Sequence, residues 1–252
     1  MNINKISFLS GLLLTIMLAP VVLHSAESTV ALESHRLNLG EKSLQRGLKY
    51  FTNYCMGCHS ASYSRYNRVA ADLNLSEQQM LDNIIFTRGA DGEKSKVGEK
   101  MMISMTEEYG KETFGVAPPD LSLTARSRGA DWIYTYLKSF YLDESRPMGV
   151  NNTVFENVGM PHVLWPLQGW QKKAEHDDDG HGGGSGFEQV TEGDMTADEY
   201  DQAVTDITNF MVYLSEPAQA KRKSLGIKVM MFLFLFTGLA YLLKKEYWRD
   251  VH

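Results

Sequence analysis

The stretch Cys55-Met56-Gly57-Cys58-His59 determines what this chain can bind and how it must fold. Its C-x-x-C-H spacing is typical of covalent haem attachment, in which two thiols add to the vinyl groups of one haem and the adjacent histidine ligates the iron. A zinc site would need a second ligand pair, but no other cysteine exists in the 252 residues. A thioredoxin-like redox pair would need βαβ units, which the sequence does not show. The motif therefore predicts one covalent haem c on Cys55 and Cys58, with His59 as the proximal iron ligand.

The opposite side of the iron needs a second ligand. A haem that only carries electrons usually keeps a strong sixth ligand, and methionine opposite histidine raises the reduction potential. The segment Gly159-Met160-Pro161 suits this role, because glycine lets the backbone approach closely and proline stiffens the loop that holds the sulfur. We therefore predict Met160 as the sixth ligand. His162 is the main alternative and would give a bis-histidine site, and the methionine cluster at residues 101–105 could supply either core or ligand.

Helical patterns surround these two sites. Apolar residues at three-to-four spacing between Leu44 and Tyr54 predict a helix that leads into the haem motif. Gly47 on this helix would let a second helix cross closely. Asp131 is expected to cap another helix, whose apolar stripe covers residues 132–140. We interpret these stripes as ordinary core packing.

Two capping boxes mark the starts of further helices. Ser76 and Gln79 form the first box, ahead of a short apolar stripe. Thr196 and Glu199 form the second, and the long apolar stripe that follows ends at Pro217. Packed across the helix before Cys55, this second helix would close the haem fold.

Both ends of the chain indicate a membrane protein. Residues 1–26 have the cation, apolar run and small residues of a secretory signal peptide, with a retained N-terminal anchor as the alternative. Residues 224–243 carry one charge, Lys228, and would span about 30 Å of hydrocarbon as a helix. A buried core helix is the other interpretation. We predict a periplasmic domain over residues 27–220, one transmembrane helix in the inner (cytoplasmic) membrane, and a cytoplasmic tail over residues 244–252.

The distribution of charge excludes some partners. A net charge of -6 argues against a nucleic-acid binder, which needs an excess of lysine and arginine. Residues 27–220 contain 17 basic and 29 acidic residues, a difference of -12. Between residues 175 and 216 there are 12 acids and no lysine or arginine. The glycine- and histidine-rich stretch at residues 176–184 is expected to be a mobile, solvated loop rather than a metal site.

The chain resembles the cytochrome c1 family, the haem subunits of quinol–cytochrome c reductase (cytochrome bc1) complexes. The C-x-x-C-H motif alone is shared by many cytochromes, so the resemblance rests on several blocks that follow the family's order along nearly the whole mature chain. Besides the haem motif, these blocks are Ser43-Leu44-Gln45-Arg46-Gly47, Ala117-Pro118-Pro119-Asp120-Leu121-Ser122, Arg126 and Arg128, Gly159-Met160-Pro161, and an anchor entered through Lys221-Arg222-Lys223.

The family resemblance assigns roles to particular residues. It implies that Met160 is the sixth ligand and that Pro118 and Pro119 line the haem. It also implies that Arg128, in preference to Arg126, pairs with a haem propionate, because a guanidinium offsets carboxylate charge that would be costly to bury alone. Without the resemblance, either arginine would be expected to be an ordinary solvated side chain.

The resemblance also implies a fold and a function. The expected fold is mostly α: a c-type cytochrome domain with a long loop-rich insertion between the haem motif and the methionine loop, plus one C-terminal transmembrane helix. The implied function is a one-electron relay beside cytochrome b, from a Rieske iron–sulfur protein to a cytochrome c acceptor, with no independent catalysis. Two alternatives are a monohaem subunit of another respiratory complex and a haem enzyme or gas sensor with an open sixth site.

The acidic excess predicts how the acceptor approaches. We expect the negative surface to steer a basic cytochrome c toward the haem edge, because opposite charges raise the rate of encounter at low ionic strength. The second-order rate of electron transfer to such an acceptor should therefore fall as salt is added. A rate that is the same at low and high salt would contradict this steering.

Overall fold

The computed structural model describes residues 30–89, 92–174 and 186–249. The predicted signal peptide at residues 1–26 and the predicted solvated loop at residues 176–184 lie outside these ranges. The chain divides into two compact units, Met1–Ala31 and Leu32–His252, and all the elements below belong to the second.

Helices dominate the described residues and short strands join them, so the predicted mostly-α class is confirmed. The helices are α1 (Glu41–Tyr50), α2 (Tyr66–Asp72), α3 (Glu77–Asn83), α4 (Glu107–Phe114), α5 (Thr124–Arg128), α6 (Ala130–Lys138), α7 (Trp165–Gln168), α8 (Ala197–Ser215) and α9 (Gln219–Tyr247). The strands are β1 (Ala61–Arg65), β2 (Lys100–Met101), β3 (Phe140–Leu142), β4 (Val150–Asn152), β5 (Gln171–Lys173) and β6 (Phe187–Gln189).

The strands form three antiparallel pairs, β1 with β2, β3 with β4, and β5 with β6. The first two pairs belong to the insertion between the haem motif and the methionine loop. Residues 88–116, where the sequence has no clear period, contain β2 and α4. The insertion is therefore more regular than a run of loops, although its elements are short.

The helix before the haem motif is present as predicted, and it changes pitch before it ends. Helix α1 continues into a π-helical turn, Phe51–Cys55, and the Met56 amide donates to the Phe51 carbonyl at 3.0 Å. Such π turns occur frequently at functional sites. Here the turn delivers Cys55 into the hydrophobic core, where its side chain is 8% exposed.

Helices α1 and α8 cross where Gly47 leaves room. A Cβ atom at this position would lie 2.1 Å from the Asp206 carbonyl oxygen and 2.7 Å from Phe210 Cβ. Beside the crossing, the fully buried Asp206 carboxylate accepts hydrogen bonds from Ser43 Oγ at 2.5 Å and from Arg46 Nε at 2.6 Å. A buried carboxylate is tolerable only with such partners, and these therefore fix the register of α1 against α8.

Both predicted capping boxes are confirmed. Ser76 and Gln79 cap α3 reciprocally, and Thr196 and Glu199 do the same for α8. The predicted cap at Asp131 is wrong. Helix α6 begins one residue earlier, after Gly129, and the Asp131 carboxylate instead accepts the His35 amide at 2.7 Å. It is thus engaged by the segment that precedes α1.

The apolar part of the last helix is not buried against any of the described residues. Helix α9 begins at Gln219, five residues before the predicted transmembrane span at residues 224–243. Within it, Lys221–Tyr247 is long and apolar enough to span a membrane, and none of its most apolar window is buried. Phe234, for example, is 84% exposed. Because the helix buries no apolar face against the domain, the alternative of a buried core helix is excluded.

The close crossing of α1 and α8 predicts that one methyl group added at Gly47 changes the free energy of unfolding. In a helix, Gly→Ala normally stabilises by up to ~1 kcal/mol. For Gly47→Ala we expect a net destabilisation of about 2 kcal/mol, because the new Cβ would overlap backbone atoms of α8 that cannot move independently. Thermal unfolding of the purified full chain measures this change.

Gly98→Ala is the matched control, because a Cβ atom there meets nothing within 4 Å. We expect it to leave the unfolding midpoint unchanged. Equal stability of the Gly47→Ala variant and the unmodified chain would contradict the close crossing.

Candidate haem site

His59 is held in one orientation by a backbone carbonyl. Its Nδ1 lies 2.7 Å from the Pro119 carbonyl oxygen, and the side chain is 8% exposed. Because a carbonyl can only accept, Nδ1 carries the proton and Nε2 carries the free lone pair. Burial lowers the pKa of His59, against opposing contributions from Pro119 and Asp120, so the ring is neutral. A neutral imidazole with a fixed Nδ1–H is the form that ligates a metal through Nε2.

The loop that supplies this carbonyl is joined to the chain just after the haem motif. The Leu121 amide donates to the Ser60 carbonyl at 2.8 Å. The Asp120 carboxylate accepts the Ser62 amide at 2.9 Å and the Ser122 amide at 2.8 Å. Burial favours the neutral acid, but these hydrogen bonds outweigh it and lower the pKa of Asp120. The Pro-Pro-Asp-Leu-Ser block thus acts as a clamp that sets the position of the Pro119 oxygen.

The two cysteines have different surroundings. Cys55 is buried, and Cys58 is half-buried and lines a cleft with His59. Burial raises the pKa of the Cys55 thiol to about 12, and it also raises that of Cys58. A redox-active cysteine pair needs a lowered thiol pKa instead. The environment therefore gives no support to a thioredoxin-like function.

The cleft brings the sequence-predicted residues together. Its lining is mostly apolar, as in most ligand sites. His59 and Met160 both line it, as do Pro118 and Pro119. The remaining lining residues are Tyr54, Cys58, Phe114, Val116, Gly159, Pro161 and Val163.

Two glycines allow the walls of the cleft to come close. A Cβ at Gly159 would lie 2.9 Å from the Phe114 carbonyl oxygen. A Cβ at Gly110, on α4, would lie 2.7 Å from Pro118 Cδ. The glycine before Met160 therefore allows close approach to the chain around Phe114. Its predicted role in close approach to the haem remains a prediction.

Met160 has a hydrogen-bond donor beside its sulfur. The Tyr136 hydroxyl donates to Met160 Sδ at 3.3 Å. Burial strongly raises the pKa of the Tyr136 phenol, so the donor keeps its proton. The sequence suggested only core packing for Tyr136, because nothing in its helical pattern indicates a partner 24 residues away.

His162 occupies different surroundings from Met160. Its side chain is 3% exposed, and its ring stacks on Phe140 with 5.1 Å between centroids and meets Trp170 edge-on at 5.8 Å. It is not among the residues that line the cleft. Burial lowers the pKa of His162 to about 4, so the ring is neutral. The structure thus separates the two candidate ligands: Met160 faces the cleft and His162 packs in an aromatic layer.

The two arginines lie outside the cleft. Arg126 and Arg128 are both exposed, and neither is among the lining residues. The Arg128 guanidinium lies over the Trp132 ring, 5.1 Å from its centroid. Trp132 in turn stacks on Tyr136 at 4.8 Å. Arg128 is therefore connected to the methionine side of the cleft through two rings, whereas the propionate role remains a prediction from the family.

Residues far apart in sequence complete the site, and sequence analysis did not identify them. Tyr54, Phe114, Val116 and Val163 line the cleft, and the Pro119 carbonyl orients the proximal histidine. A weak signal existed for Tyr54 alone, since it lies on the helix that leads into the haem motif. For the others, only the fold shows that three separate loops meet.

The residues present fit a haem. His59 with its free Nε2, Cys58 and Met160 line the mostly apolar cleft, whereas Cys55 lies in the hydrophobic core and is not among the lining residues. Thiol, imidazole and thioether are the donors that c-type cytochromes use. The lining therefore contains both predicted axial ligands and one of the two predicted attachment residues, and the roles of all four remain predictions.

Comparison with known proteins gives consistent matches. The family model described as the cytochrome C1 family matches residues 33–251. Cytochrome c1 of Allochromatium vinosum is 49% identical over 241 residues, which cover 94% of this chain and 96% of that protein. The protein named ammonia monooxygenase gamma subunit of Nitrosomonas europaea is 47% identical over 242 residues, covering 96% and 97% respectively.

More distant proteins match as well. Cytochrome c1 of Rhodospirillum rubrum is 27% identical over 251 residues, covering 84% of this chain and 82% of that protein. A chain of a solved structure titled "Hyperthermophilic respiratory Complex III" aligns with 99% of this chain, but its TM-score of 0.43 and identity of 16% are too low to support an argument. The family model and the relatives with high coverage are sufficient: the chain belongs to the cytochrome c1 family.

Proposed function

We propose that this chain is the membrane-anchored electron carrier of a quinol–cytochrome c reductase complex. It receives single electrons from a Rieske iron–sulfur protein and passes them to a soluble or membrane-bound cytochrome c. The observation that carries the proposal is the cleft in which His59, with its orientation fixed, and Met160 both form part of the lining. Family membership supports the same assignment.

The cofactor follows from the family. Like other cytochromes c1, the chain carries one covalently bound haem c. We assign its attachment to Cys55 and Cys58 and its axial ligation to His59 and Met160. Bound there, the haem supplies a one-electron ferric–ferrous couple. Held by His59 and Met160, the metal would offer no position to a substrate, so the protein would relay electrons and catalyse no reaction alone.

The chain's own residues prepare the site for electron transfer. The Pro119 carbonyl holds the His59 ring in one orientation, and the apolar lining excludes water from the metal. Part of that lining reaches the surface, since Val116 is 57% exposed. An exposed apolar rim gives a redox partner a short approach to the cofactor. Pro118 contributes to the wall, and Arg128 is assigned to the propionates.

The membrane helix supports the proposed partners and location. Cytochromes c1 are membrane-anchored, and α9 is the candidate anchor of this chain. We propose cytochrome b as its neighbour, because a bare apolar helix needs lipid or another membrane subunit around it.

The haem domain is assigned to the periplasm, from the export signal expected in residues 1–26. Protease applied outside spheroplasts should then digest the haem domain, and its survival would contradict this orientation.

A second candidate function comes from one relative. The protein named ammonia monooxygenase gamma subunit covers almost the whole chain at 47% identity. Its name favours a monohaem subunit of a different oxidising complex, with the same haem and other partners. The haem site would be the same in both cases, so the partners distinguish the two functions.

Optical spectra of two variants distinguish Met160 from His162 as the sixth ligand. In Met160→Ala, we expect the ferric protein to lose its sulfur-to-iron charge-transfer band and the ferrous protein to bind carbon monoxide, because the sixth position opens. In the matched control His162→Phe, we expect an unchanged band, because phenylalanine can fill the same stacked position beside Phe140. Optical spectra of both variants measure this. A band that survives in Met160→Ala would contradict the assigned ligand.

The composition of the membrane complex tests the proposed partners. We expect the affinity-tagged chain, solubilised in mild detergent, to co-purify with a cytochrome b and a Rieske iron–sulfur protein and to show quinol–cytochrome c reductase activity. Subunit identification by mass spectrometry and a reductase assay measure this. Co-purification with ammonia-oxidising subunits, without a cytochrome b, would favour the second function.

A further inference from the structure

The sulfur of Met160 has a hydroxyl donor directly beside it. The distance from Tyr136 Oη to Met160 Sδ is 3.3 Å, within hydrogen-bond range for a sulfur acceptor. A thioether sulfur has two lone pairs. One can bind the iron while the other accepts this hydrogen bond, so the contact is compatible with ligation.

Neighbours on α6, β3 and β4 hold Tyr136 in place. Trp132 stacks on the Tyr136 ring with 4.8 Å between centroids and 10° between planes. Phe140 meets it edge-on at 5.1 Å and 71°. The Tyr136 carbonyl accepts the side-chain amide of the fully buried Asn152 at 2.8 Å. The hydroxyl therefore has little freedom to turn away from the sulfur.

We propose that Tyr136 is a positioning residue for the sixth ligand and that its hydrogen bond raises the reduction potential of the haem. This inference rests on the proposed function, in which Met160 ligates the iron. A hydrogen bond to the sulfur withdraws electron density from it and weakens its donation to the ferric ion more than to the ferrous ion. The reduced state is thereby favoured. Hydrogen bonding to ligand sulfur is a general means of tuning an iron centre.

The alternative is that Tyr136 only fills space. Its ring lies in an aromatic layer, so packing alone would explain a large side chain at this position. The two roles make different predictions for Tyr136→Phe, which keeps the ring and removes only the hydroxyl. Packing predicts an unchanged potential. The hydrogen bond predicts a lower one.

The test is a redox titration of the haem in the purified membrane complex. For Tyr136→Phe we expect the ferrous-to-ferric ratio at fixed ambient potential to fall roughly three- to tenfold, because the hydrogen bond that favours the reduced state is lost. At 59 mV per tenfold for one electron, this is a shift of about 30–60 mV to lower potential. The charge-transfer band should be retained at a changed position.

Tyr134→Phe is the matched control on the same helix. It also removes one phenolic hydroxyl, but that hydroxyl bonds Asp201 and not Met160. We expect this variant to keep the potential and the band of the unmodified protein. An unchanged potential in Tyr136→Phe, or an equal shift in both variants, would overturn the proposal.

A second variant tests the hydrogen bond even if Tyr136→Phe does not fold. 3-Fluorotyrosine at position 136 keeps the size of the side chain and makes the hydroxyl a stronger donor, so we expect a shift to higher potential. No shift, or a shift to lower potential, would overturn the role of Tyr136. If instead the unmodified protein lacks the charge-transfer band, Met160 is not a ligand and the ligand assignment fails as well. The two failures are therefore distinguishable.

Discussion

The hydrogen bond from His59 Nδ1 to the Pro119 carbonyl is the constraint on which the site depends. It makes one imidazole nitrogen a fixed donor and leaves the other as a metal ligand with a set direction. Everything that holds Pro119 in place therefore contributes to iron ligation. Asp120 does this by fastening its loop to the chain after the haem motif, which explains why a proline pair and an acid occur together 60 residues from the histidine.

The rest of the domain positions three loops around one cleft. The crossing of α1 and α8 at Gly47 fixes the haem motif against the core, and α4 places its Gly110 against Pro118. Helix α6 then brings Tyr136 to the methionine loop. The proposed iron ligands, His59 and Met160, come from loops, whereas the helices supply rigidity. This arrangement suits an electron carrier, since a ligand set that moves little between oxidation states loses little energy in reorganisation.

Local signals predicted local structure. The capping boxes at Ser76 and Thr196 were confirmed because each depends on four consecutive residues. The cap at Asp131 was wrong because a residue almost one hundred positions away, His35, provides a competing partner. Spacing and flanking residues were enough to propose the haem motif and Met160, and the structure places His59, Cys58 and Met160 in the lining of one cleft. They were not enough for the Pro119 carbonyl and the Tyr136 hydroxyl, because their roles arise only when distant segments meet.

The central claim is that the iron is bound by one imidazole, from His59, and one thioether, from Met160. X-ray absorption spectroscopy at the iron edge, on the purified full chain in detergent without the other iron-containing subunits, tests this most directly. We expect a single sulfur neighbour together with nitrogen neighbours, in both oxidation states. A shell of nitrogen alone, or a position open to oxygen, would contradict it.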